Sequence, residues 1–325
     1  MNTARSDSVV TREVVTRAPT RIDLGGGWTD VPPYCDREGG FVCNVAISRY
    51  ARARLTDQAS RIDVGAADAS LVRATLKHTG VHDAFVELTN DFPVGAGLGG
   101  SSAASAALLS GLAAWCDEHR SRAEIAEQGR RIEVEELGIA GGRQDHYAAT
   151  YGGALALTFT TEVAVRRLSL SEKTREQLPA RSLLIYTGQS RISGDTIRSV
   201  LNAYDSGDLR VIGALRRMRE IAEQMASALE RGDLDAVGAM LDEHWVHQRS
   251  LHESIPTPII DEIVARSRRA GALGAKAMGA SGGGCVLVMM PADHADRVIK
   301  TVRPLGEILD FTVDEAGATI ESVKR

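Results

Sequence analysis

The chain of 325 residues is long enough for one large domain or two of ordinary size. Its net charge of −5 and aromatic content of 4% argue against a nucleic-acid-binding surface. No apolar run approaches membrane-spanning length and the first residues lack a signal-peptide core, so we expect neither a nucleic-acid nor a membrane partner. The four cysteines form no C-x-x-C pair, which fits reduced thiols and predicts a cytoplasmic protein.

After a polar N-terminal tail, short apolar runs bounded by glycine or polar residues predict strands in both halves of the chain. The predicted strands cover Val14–Leu24, Phe41–Leu55, Phe85–Leu88, Ala154–Thr160, Val163–Leu168, Ser182–Tyr186, Gly274–Met278, Cys285–Met290 and Ile308–Val313.

Helical periodicity appears between these strands and is densest in the second half of the chain. The predicted helices cover Ala103–Cys116, Arg122–Leu137, Ser193–Tyr204, Leu209–Arg231, Leu234–His252, Pro258–Ala270 and Ala292–Val302. Because strands and helices are mixed without regular βαβ alternation, we predict an α+β protein of two lobes, at residues 14–180 and 181–325.

The loop before the first of these helices combines four glycines with two serines. A helix N-terminus presents unpaired N–H groups and the positive end of the helix dipole, and glycines let a ligand approach the backbone. The serine hydroxyls could cap the helix or reach a metal ion. We therefore predict a phosphate-binding loop formed by Pro93, Gly95, Ala96, Gly97, Leu98, Gly99, Gly100, Ser101 and Ser102.

A dinucleotide-binding interpretation of this loop fails on context. Gly95, Gly97 and Gly100 satisfy G-x-G-x-x-G, and Asp117 lies at about the distance of a ribose-binding acid. However, the intervening segment is alanine-rich and helical, and no strand delivers the acid. The other standard phosphate loop, G-x-x-x-x-G-K-[ST], is absent from the sequence.

Two further glycine-rich segments, Gly25–Gly27 and Gly282–Gly284, also follow predicted strands. Three such loops are best explained if they converge on one polyanionic ligand, which favours a nucleotide-dependent transferase.

The three loops resemble the signatures of the superfamily of galactokinase, homoserine kinase, mevalonate kinase and phosphomevalonate kinase, the GHMP kinases. PVGAGLGGSSAA resembles the second signature, P-x-x-x-G-L-G-S-S-A-A, with Gly100 in place of a serine. APTRIDLGGGWTDVPP is similar to the first signature of the sugar kinases, and KAMGASGGGCVLVM to the third. The resemblance spans about residues 14–313.

This resemblance implies an N-terminal lobe like a ribosomal-protein domain, a ferredoxin-like C-terminal lobe, and ATP between them. It makes Asp145 the catalytic base, with Arg21 beside it to keep the carboxylate ionised and to stabilise charge on the transferred group. It also implies Mg²⁺ held by Ser102 and Glu133, because this cation prefers oxygen ligands.

For the acceptor, Asp30 resembles the acid that binds sugar hydroxyls in the family's sugar kinases, since carboxylates accept two hydrogen bonds from a vicinal diol. The first signature lies between those of fucokinases and of kinases of D-glycero-D-manno-heptose 7-phosphate. Two further segments favour the heptose group: TGQSRISGDTI, and GGRQDHYAATYGG, in which His146 replaces a glutamine of the pattern. The predicted substrate-binding residues are Gly26, Gly27, Thr29, Asp30, Tyr34, Arg191 and Gly283.

Arg191 is the candidate partner for the 7-phosphate, because a guanidinium pairs well with a dianion. The alternative is a solvated arginine beside a helix that Ser193 caps. The sequence accordingly predicts a sugar 1-kinase that forms the 1,7-bisphosphate, as a monomer or homodimer.

Three alternatives remain open from the sequence. The first is a kinase of an unphosphorylated sugar such as L-fucose. The second is a regulator that binds sugar and nucleotide without catalysis, which the intact candidate catalytic residues disfavour. The third is a metal-binding protein built on His244, His247 and His252, although solvated helix histidines are the simpler interpretation.

Overall fold

Two antiparallel sheets organise the chain in the computed structural model, which describes residues 12–58, 66–189 and 194–325. In chain order the strands are β1 (Glu13–Gly25), β2 (Gly40–Thr56), β3 (Phe85–Asn90), β4 (Ala154–Phe159), β5 (Val163–Arg167), β6 (Ser182–Tyr186), β7 (Gly274–Ala277), β8 (Cys285–Met289), β9 (Glu307–Leu309) and β10 (Thr319–Lys324). The first sheet has the order β10-β1-β2-β4-β5, with β3 also paired to β2, and the second has the order β7-β8-β6-β9.

The helices lie between the strands without a regular alternation, as predicted. They are α1 (Tyr34–Glu38), α2 (Ala66–Thr79), α3 (Gly100–Trp115), α4 (Arg122–Arg131), α5 (Gln144–Tyr151), α6 (Glu172–Ala180), α7 (Gly194–Asp205), α8 (Leu209–Glu230), α9 (Leu234–Ser250), α10 (Pro258–Arg269) and α11 (Ala295–Val302), with a π-helical turn at Ile132–Glu136. Within the described ranges, no helix is long and apolar enough to cross a membrane.

Five elements escape the sequence patterns, namely α1, α2, α5, α6 and β10. Helix α5 is buried on nearly every side, so its sequence carries no polar face that would reveal a helical period. Helix α6 is short, mostly polar and contains Pro179. Strand β10 is mostly exposed and is held by its pairing with β1 from Glu13 to Arg17.

The last strand of the chain thus belongs to the first sheet, although β6 to β9 form the second. The division of the chain near residue 180 stays a prediction.

Helix α3 is the centre of the first part of the fold. It packs on β1 and β2, and nearly all its residues are buried, as expected of a helix that is apolar all round. Gly111 allows close packing at this contact, because a Cβ there would come within 2.7 Å of the Leu55 side chain. This packing fixes the N-terminus of α3, and with it the preceding glycine loop.

A shared apolar core joins the two sheets. Helix α8 packs on β1 and β2 and also on α9, which in turn packs on β7. Buried side chains from the first sheet, these helices and the second sheet form one cluster, including Leu24, Val45, Ala222, Leu241 and Leu287. The ends of β1 and β7 are therefore held at fixed positions close to each other.

Candidate active site

A cavity of about 680 Å³ opens beside the N-terminus of α3. The described residues that line it include all nine predicted phosphate-loop residues, Pro93, Gly95, Ala96, Gly97, Leu98, Gly99, Gly100, Ser101 and Ser102. The other predicted site residues on its wall are Arg21, Gly27, Asp30, Glu133 and Asp145. Residues that are far apart in the sequence thus meet at one site.

The glycine loop reaches α3 through left-handed backbone conformations. Gly95, Gly97 and Gly99 have φ angles of 75°, 74° and 75°, which glycine adopts without the steric cost of a side chain. Gly99 is the N-cap of α3, no side chain caps the helix, and no acidic residue lies in its first turn. The N–H groups of this turn are therefore not occupied by a side-chain cap, and the end of α3 favours an anion.

The second and third glycine loops pack backbone to backbone. The Cys285 N–H donates to the Ala96 carbonyl at 2.8 Å. A Cβ on Gly97 would lie 2.8 Å from the Met278 carbonyl oxygen, and one on Gly284 would lie 2.7 Å from that of Ala96. Side chains are excluded here mainly by the other loop, so these glycines hold the phosphate loop in place.

The first glycine loop, Gly25–Gly27, contributes Gly27 to the cavity, and contacts with neighbouring residues hold its backbone. The Gly26 N–H donates to Nε2 of His244 at 2.9 Å, and the Thr29 hydroxyl donates to the Gly26 carbonyl at 2.7 Å. Burial and the nearby Lys276 charge hold the pKa of His244 well below its usual value, so its imidazole can accept this bond.

Of the predicted substrate-binding residues that the structure describes, four lie away from the cavity wall. Gly26 and Thr29 are buried within the first loop, Tyr34 is fully buried against Tyr204, and Gly283 lies against the Gln189 backbone. These residues shape the loops, and direct contact with a ligand stays a prediction for each of them. Arg191 lies outside the described residues.

Arg21 and Asp145 form a bidentate ion pair on the cavity wall. Arg21 Nε donates to Asp145 Oδ1 at 2.7 Å, and Nη2 donates to Oδ2 at 2.8 Å. The remaining nitrogen, Nη1, donates to the Gly97 carbonyl at 2.7 Å. The Arg21 side chain is 4% exposed and that of Asp145 is 26% exposed, so the carboxylate is the partner that faces the open space. Asp145 stands in the first turn of α5 and contacts Gly99, where a Cβ would come within 3.1 Å of it.

Asp30 is buried beneath the segment that leads to α5. Its Oδ2 accepts a hydrogen bond from the Gln144 N–H at 3.0 Å, and a Cβ on Gly142 would overlap this carboxylate. Burial, together with the nearby negative charges of Asp145 and Asp23, raises the pKa of Asp30 to about 6. Asp30 is therefore mostly ionised at neutral pH, and a small fall in pH toward this pKa would protonate it.

Asp23 is a cavity residue that the sequence did not single out. Lys276 Nζ donates to its Oδ2 and to its backbone carbonyl, both at 2.8 Å, and neither side chain is more than 3% exposed. Although burial would raise the pKa of Asp23, the charges around it, with Lys276 first, together outweigh burial and hold this pKa below its usual value. The sequence shows a charged residue in each of two predicted strands, Asp23 near the end of one and Lys276 within another. Nothing in the sequence indicates that the two side chains form an ion pair.

Glu133 and Ser102 face the cavity from neighbouring elements. Glu133 lies in the π-helical turn that follows α4, a distortion frequent at functional sites, and Ser102 lies in the first turn of α3. Burial would raise the pKa of Glu133, but hydrogen bonds from His146 and Ser101 and the charge of His146 hold it below its usual value. A hydroxyl and an ionised carboxylate are donors that a hard divalent cation prefers.

Part of the cavity wall is apolar, and the sequence patterns missed most of it. This part includes Leu71, Phe92, Val94, Leu137 and Ile139. Apart from Val94, which lies in the second signature, these residues belong to no motif: Leu71 stands on α2, Phe92 follows β3, and Leu137 and Ile139 follow the π turn. Such a surface suits a flat heterocycle beside a phosphate loop.

Two of the three histidines in the metal-binding alternative form hydrogen bonds elsewhere in the structure. His244 faces the first glycine loop through Nε2, and Nδ1 of His252 accepts a hydrogen bond from the Ser254 N–H at 3.1 Å. Over residues 12–58, 66–189 and 194–325, no group of three or more His, Cys, Asp or Glu side chains is arranged to hold a metal ion.

Comparison with known proteins places the chain among characterised families. A family model described as the GHMP kinases N terminal domain matches residues 44–153, and one described as GHMP kinases C terminal matches residues 225–306. The chain is 28% identical to the D-glycero-alpha-D-manno-heptose 7-phosphate kinase of Campylobacter jejuni, over 94% of this chain and 98% of that protein. It is 26% identical to the bifunctional fucokinase/GDP-fucose pyrophosphorylase of Arabidopsis thaliana, over 93% of this chain but only 32% of that longer protein.

Solved structures confirm the fold. A D-glycero-D-manno-heptose 1-phosphate kinase from Bacteroides thetaiotaomicron superposes with a TM-score of 0.76 at 22% identity, over 96% of this chain and all of that one. L. major mevalonate kinase in complex with R-mevalonate superposes with a TM-score of 0.72 at 18% identity, over 94% of this chain and 96% of that one. The predicted two-lobed α+β architecture is thereby confirmed.

Proposed function

The chain belongs to the GHMP kinase superfamily, and we propose that it is a sugar 1-kinase that phosphorylates D-glycero-D-manno-heptose 7-phosphate. The γ-phosphoryl group of ATP would pass to the anomeric hydroxyl and give the 1,7-bisphosphate. In this step the hydroxyl oxygen bonds to the γ-phosphorus, the bond from phosphorus to the ADP oxygen breaks, and the hydroxyl proton leaves to a carboxylate.

The bidentate pair of Arg21 and Asp145 carries the proposal. Asp145 faces the open cavity beside the phosphate loop, so it can accept the proton of a hydroxyl bound there. Arg21 keeps this carboxylate in one orientation, and the Arg21 guanidinium is itself held by the hydrogen bond from its Nη1 to the Gly97 carbonyl. The same guanidinium places positive charge close to the transferred phosphoryl group, where charge develops in the transition state.

The phosphates of the nucleotide fit the end of α3. The uncapped first turn and the glycine backbone supply N–H donors, and the ligand can approach because no side chain covers them. Ser102 and Glu133 would hold Mg²⁺ at this end, and the cation, when bound, neutralises phosphate charge. The apolar part of the cavity wall would take the base of the nucleotide.

The acceptor end of the cavity is rich in carboxylates. Asp23, Asp30 and Asp145 all line it, and carboxylates accept hydrogen bonds from polyhydroxy ligands. The similarity to the Campylobacter jejuni heptose 7-phosphate kinase, which extends over 98% of that protein, supports the heptose. Among the described residues on the wall, the basic side chain is Arg21, which is already paired with Asp145. Arg191 therefore stays the proposed partner of the 7-phosphate.

A kinase of an unphosphorylated sugar is the second candidate. The similarity to the bifunctional fucokinase/GDP-fucose pyrophosphorylase of Arabidopsis thaliana favours it, as does GGWTD in the first signature, which resembles that of fucokinases. An acceptor such as L-fucose carries no phosphate, so it would need no basic side chain in the site besides Arg21.

A coupled assay of ADP release decides between these substrates. The full chain is incubated with ATP, Mg²⁺ and one of heptose 7-phosphate, L-fucose, L-arabinose or galactose, and phosphorus NMR identifies the new phosphate ester. We expect turnover of heptose 7-phosphate with phosphorylation at C1. Turnover of an unphosphorylated sugar alone would refute the heptose and keep the kinase, whereas binding of sugar and nucleotide without turnover would indicate a regulator.

Arg191→Met provides a sharper test of the acceptor. If Arg191 binds the 7-phosphate, this variant has a higher KM for heptose 7-phosphate and an unchanged KM for ATP. An unchanged KM for the heptose would remove Arg191 from the site.

A further inference from the structure

His146 lies directly behind the two residues proposed to hold magnesium. Its Nε2 is 2.8 Å from Glu133 Oε2 and 3.4 Å from Ser102 Oγ. His146 is 1% exposed and is absent from the described residues on the cavity wall, whereas Ser102 and Glu133 are on it. The imidazole therefore reaches this pair from the protein interior.

The surroundings of His146 fix its ring in this position. It stands on α5 directly after Asp145, and α4 leaves room for the ring because Gly129 has no side chain. A Cβ on Gly129 would lie 3.0 Å from His146 Nδ1. A glutamine amide also carries an N–H donor, so glutamine is the substitution at this position that can keep a hydrogen bond to Glu133.

We propose that His146 is a positioning residue that orients the Glu133 carboxylate toward a divalent cation. The proposal rests on the proposed function, because it takes Ser102 and Glu133 as the protein contacts of Mg²⁺. The Nε2–H of His146 donates to Oε2 of Glu133, and the remaining lone pairs of the carboxylate stay available on the cavity side. His146 itself does not contact the cation.

The physical reason is the freedom of an unsupported carboxylate. Glu133 lies in a short π-helical turn, and its side chain can rotate about three bonds, so the hydrogen bonds from His146 and Ser101 are what select its orientation. Partners that hold a metal-binding side chain commonly change metal affinity by about 10–100-fold when they are removed.

Mn²⁺ serves as the probe in the test, because its free form gives an electron paramagnetic resonance signal that falls on binding. The full chain is titrated with Mn²⁺ in the presence of a non-hydrolysable ATP analogue, so the readout is independent of turnover. Five proteins are compared: the unchanged chain, His146→Leu, His146→Gln, Glu133→Gln and the double variant with His146→Leu and Glu133→Gln. Thermal unfolding confirms that each variant is folded, and His146→Asn, whose amide is too short to reach Glu133, replaces His146→Leu if the leucine variant does not fold.

We expect His146→Leu to raise the Kd for Mn²⁺ by about 10–100-fold, and His146→Gln to stay within about threefold of the unchanged chain because its amide restores the donor. In a Glu133→Gln background, His146→Leu should have no further effect. An unchanged Kd in His146→Leu, an equal loss in His146→Gln, or an additive effect in the double variant would each overturn the positioning role. If Glu133→Gln binds Mn²⁺ as the unchanged chain does, the proposed magnesium site itself is wrong.

Discussion

Lys276 on β7 and Asp23 on β1 form a buried ion pair that connects the two sheets at the candidate active site, with 2.8 Å from Nζ to Oδ2. The same ammonium donates to the Asp23 carbonyl, so it also fixes the backbone two residues after Arg21. The pair thus links the segment before the third glycine loop to the strand that carries the arginine of the Arg21–Asp145 pair.

Removing Lys276 should destabilise the protein strongly. Lys276→Met leaves the Asp23 carboxylate buried without its cation, which typically costs about 3–5 kcal/mol in the free energy of unfolding. Denaturant unfolding followed by circular dichroism measures it. Adding Asp23→Asn should recover much of the loss, because no unpaired charge then remains.

Lys324→Met is the matched control for this pair. Lys324 also pairs with a carboxylate, that of Glu13 at 2.7 Å, but its side chain is 68% exposed. An exposed ion pair contributes at most about 1 kcal/mol. Equal losses in the two methionine variants would contradict a special role for the buried pair.

Asp145→Asn should slow catalysis strongly while nucleotide binding is retained. The amide keeps the size of the side chain but cannot accept the proton, so we expect kcat to fall by about 10²–10⁴-fold. The Kd for a non-hydrolysable ATP analogue, measured by calorimetry, should change little, because the phosphate contacts come from the loop. Retained turnover would remove Asp145 from the base role.

Gly97→Ala should both destabilise the protein and weaken nucleotide binding. Its φ of 74° costs a side chain about 1–2 kcal/mol, and the new methyl would meet the Met278 carbonyl at 2.8 Å. Gly80→Ala is the matched control, since φ is 69° there and nothing lies within 4 Å of the added atom. A loss of stability no larger than in Gly80→Ala, with unchanged ATP affinity, would refute the contact between the loops as the cause.

The raised pKa of Asp30 should appear in the pH dependence of stability. Because the folded-state pKa is about 6 and the ordinary value is 3.8, the folded protein holds a proton that the unfolded chain has released. This stabilising contribution is complete below pH 3.8 and is lost as the pH rises through about 6. The free energy of unfolding of Asp30→Asn, taken relative to that of the unchanged chain, should therefore rise by about 1.5 kcal/mol from pH 5 to pH 8.

The measurement is urea unfolding of both proteins across this pH range. Asp293→Asn is the control, because the Asp293 side chain is 80% exposed. A constant difference between Asp30→Asn and the unchanged chain would show that Asp30 titrates at its ordinary pKa in the folded state.

The sequence by itself determined the phosphate loop, with its glycines and serines, and the helix α3 that follows it. Gly97 and Gly99 need left-handed backbone, and an alanine-rich helix must be buried, so these features follow from local chemistry and are visible in the amino-acid order. The superfamily resemblance then supplied Arg21 and Asp145, which the structure brings into a single ion pair.

Only the tertiary structure decided how these parts are supported. Lys276 and Asp23 are 253 residues apart, His244 and Gly26 are 218 apart, and His146 reaches Glu133 from a separate helix. No local pattern signals such partners, because each becomes necessary only when another part of the chain buries a charge or an N–H group beside it. The same reason explains why Thr29, which lies within the first signature, and Tyr34, which directly follows it, are buried away from the cavity wall.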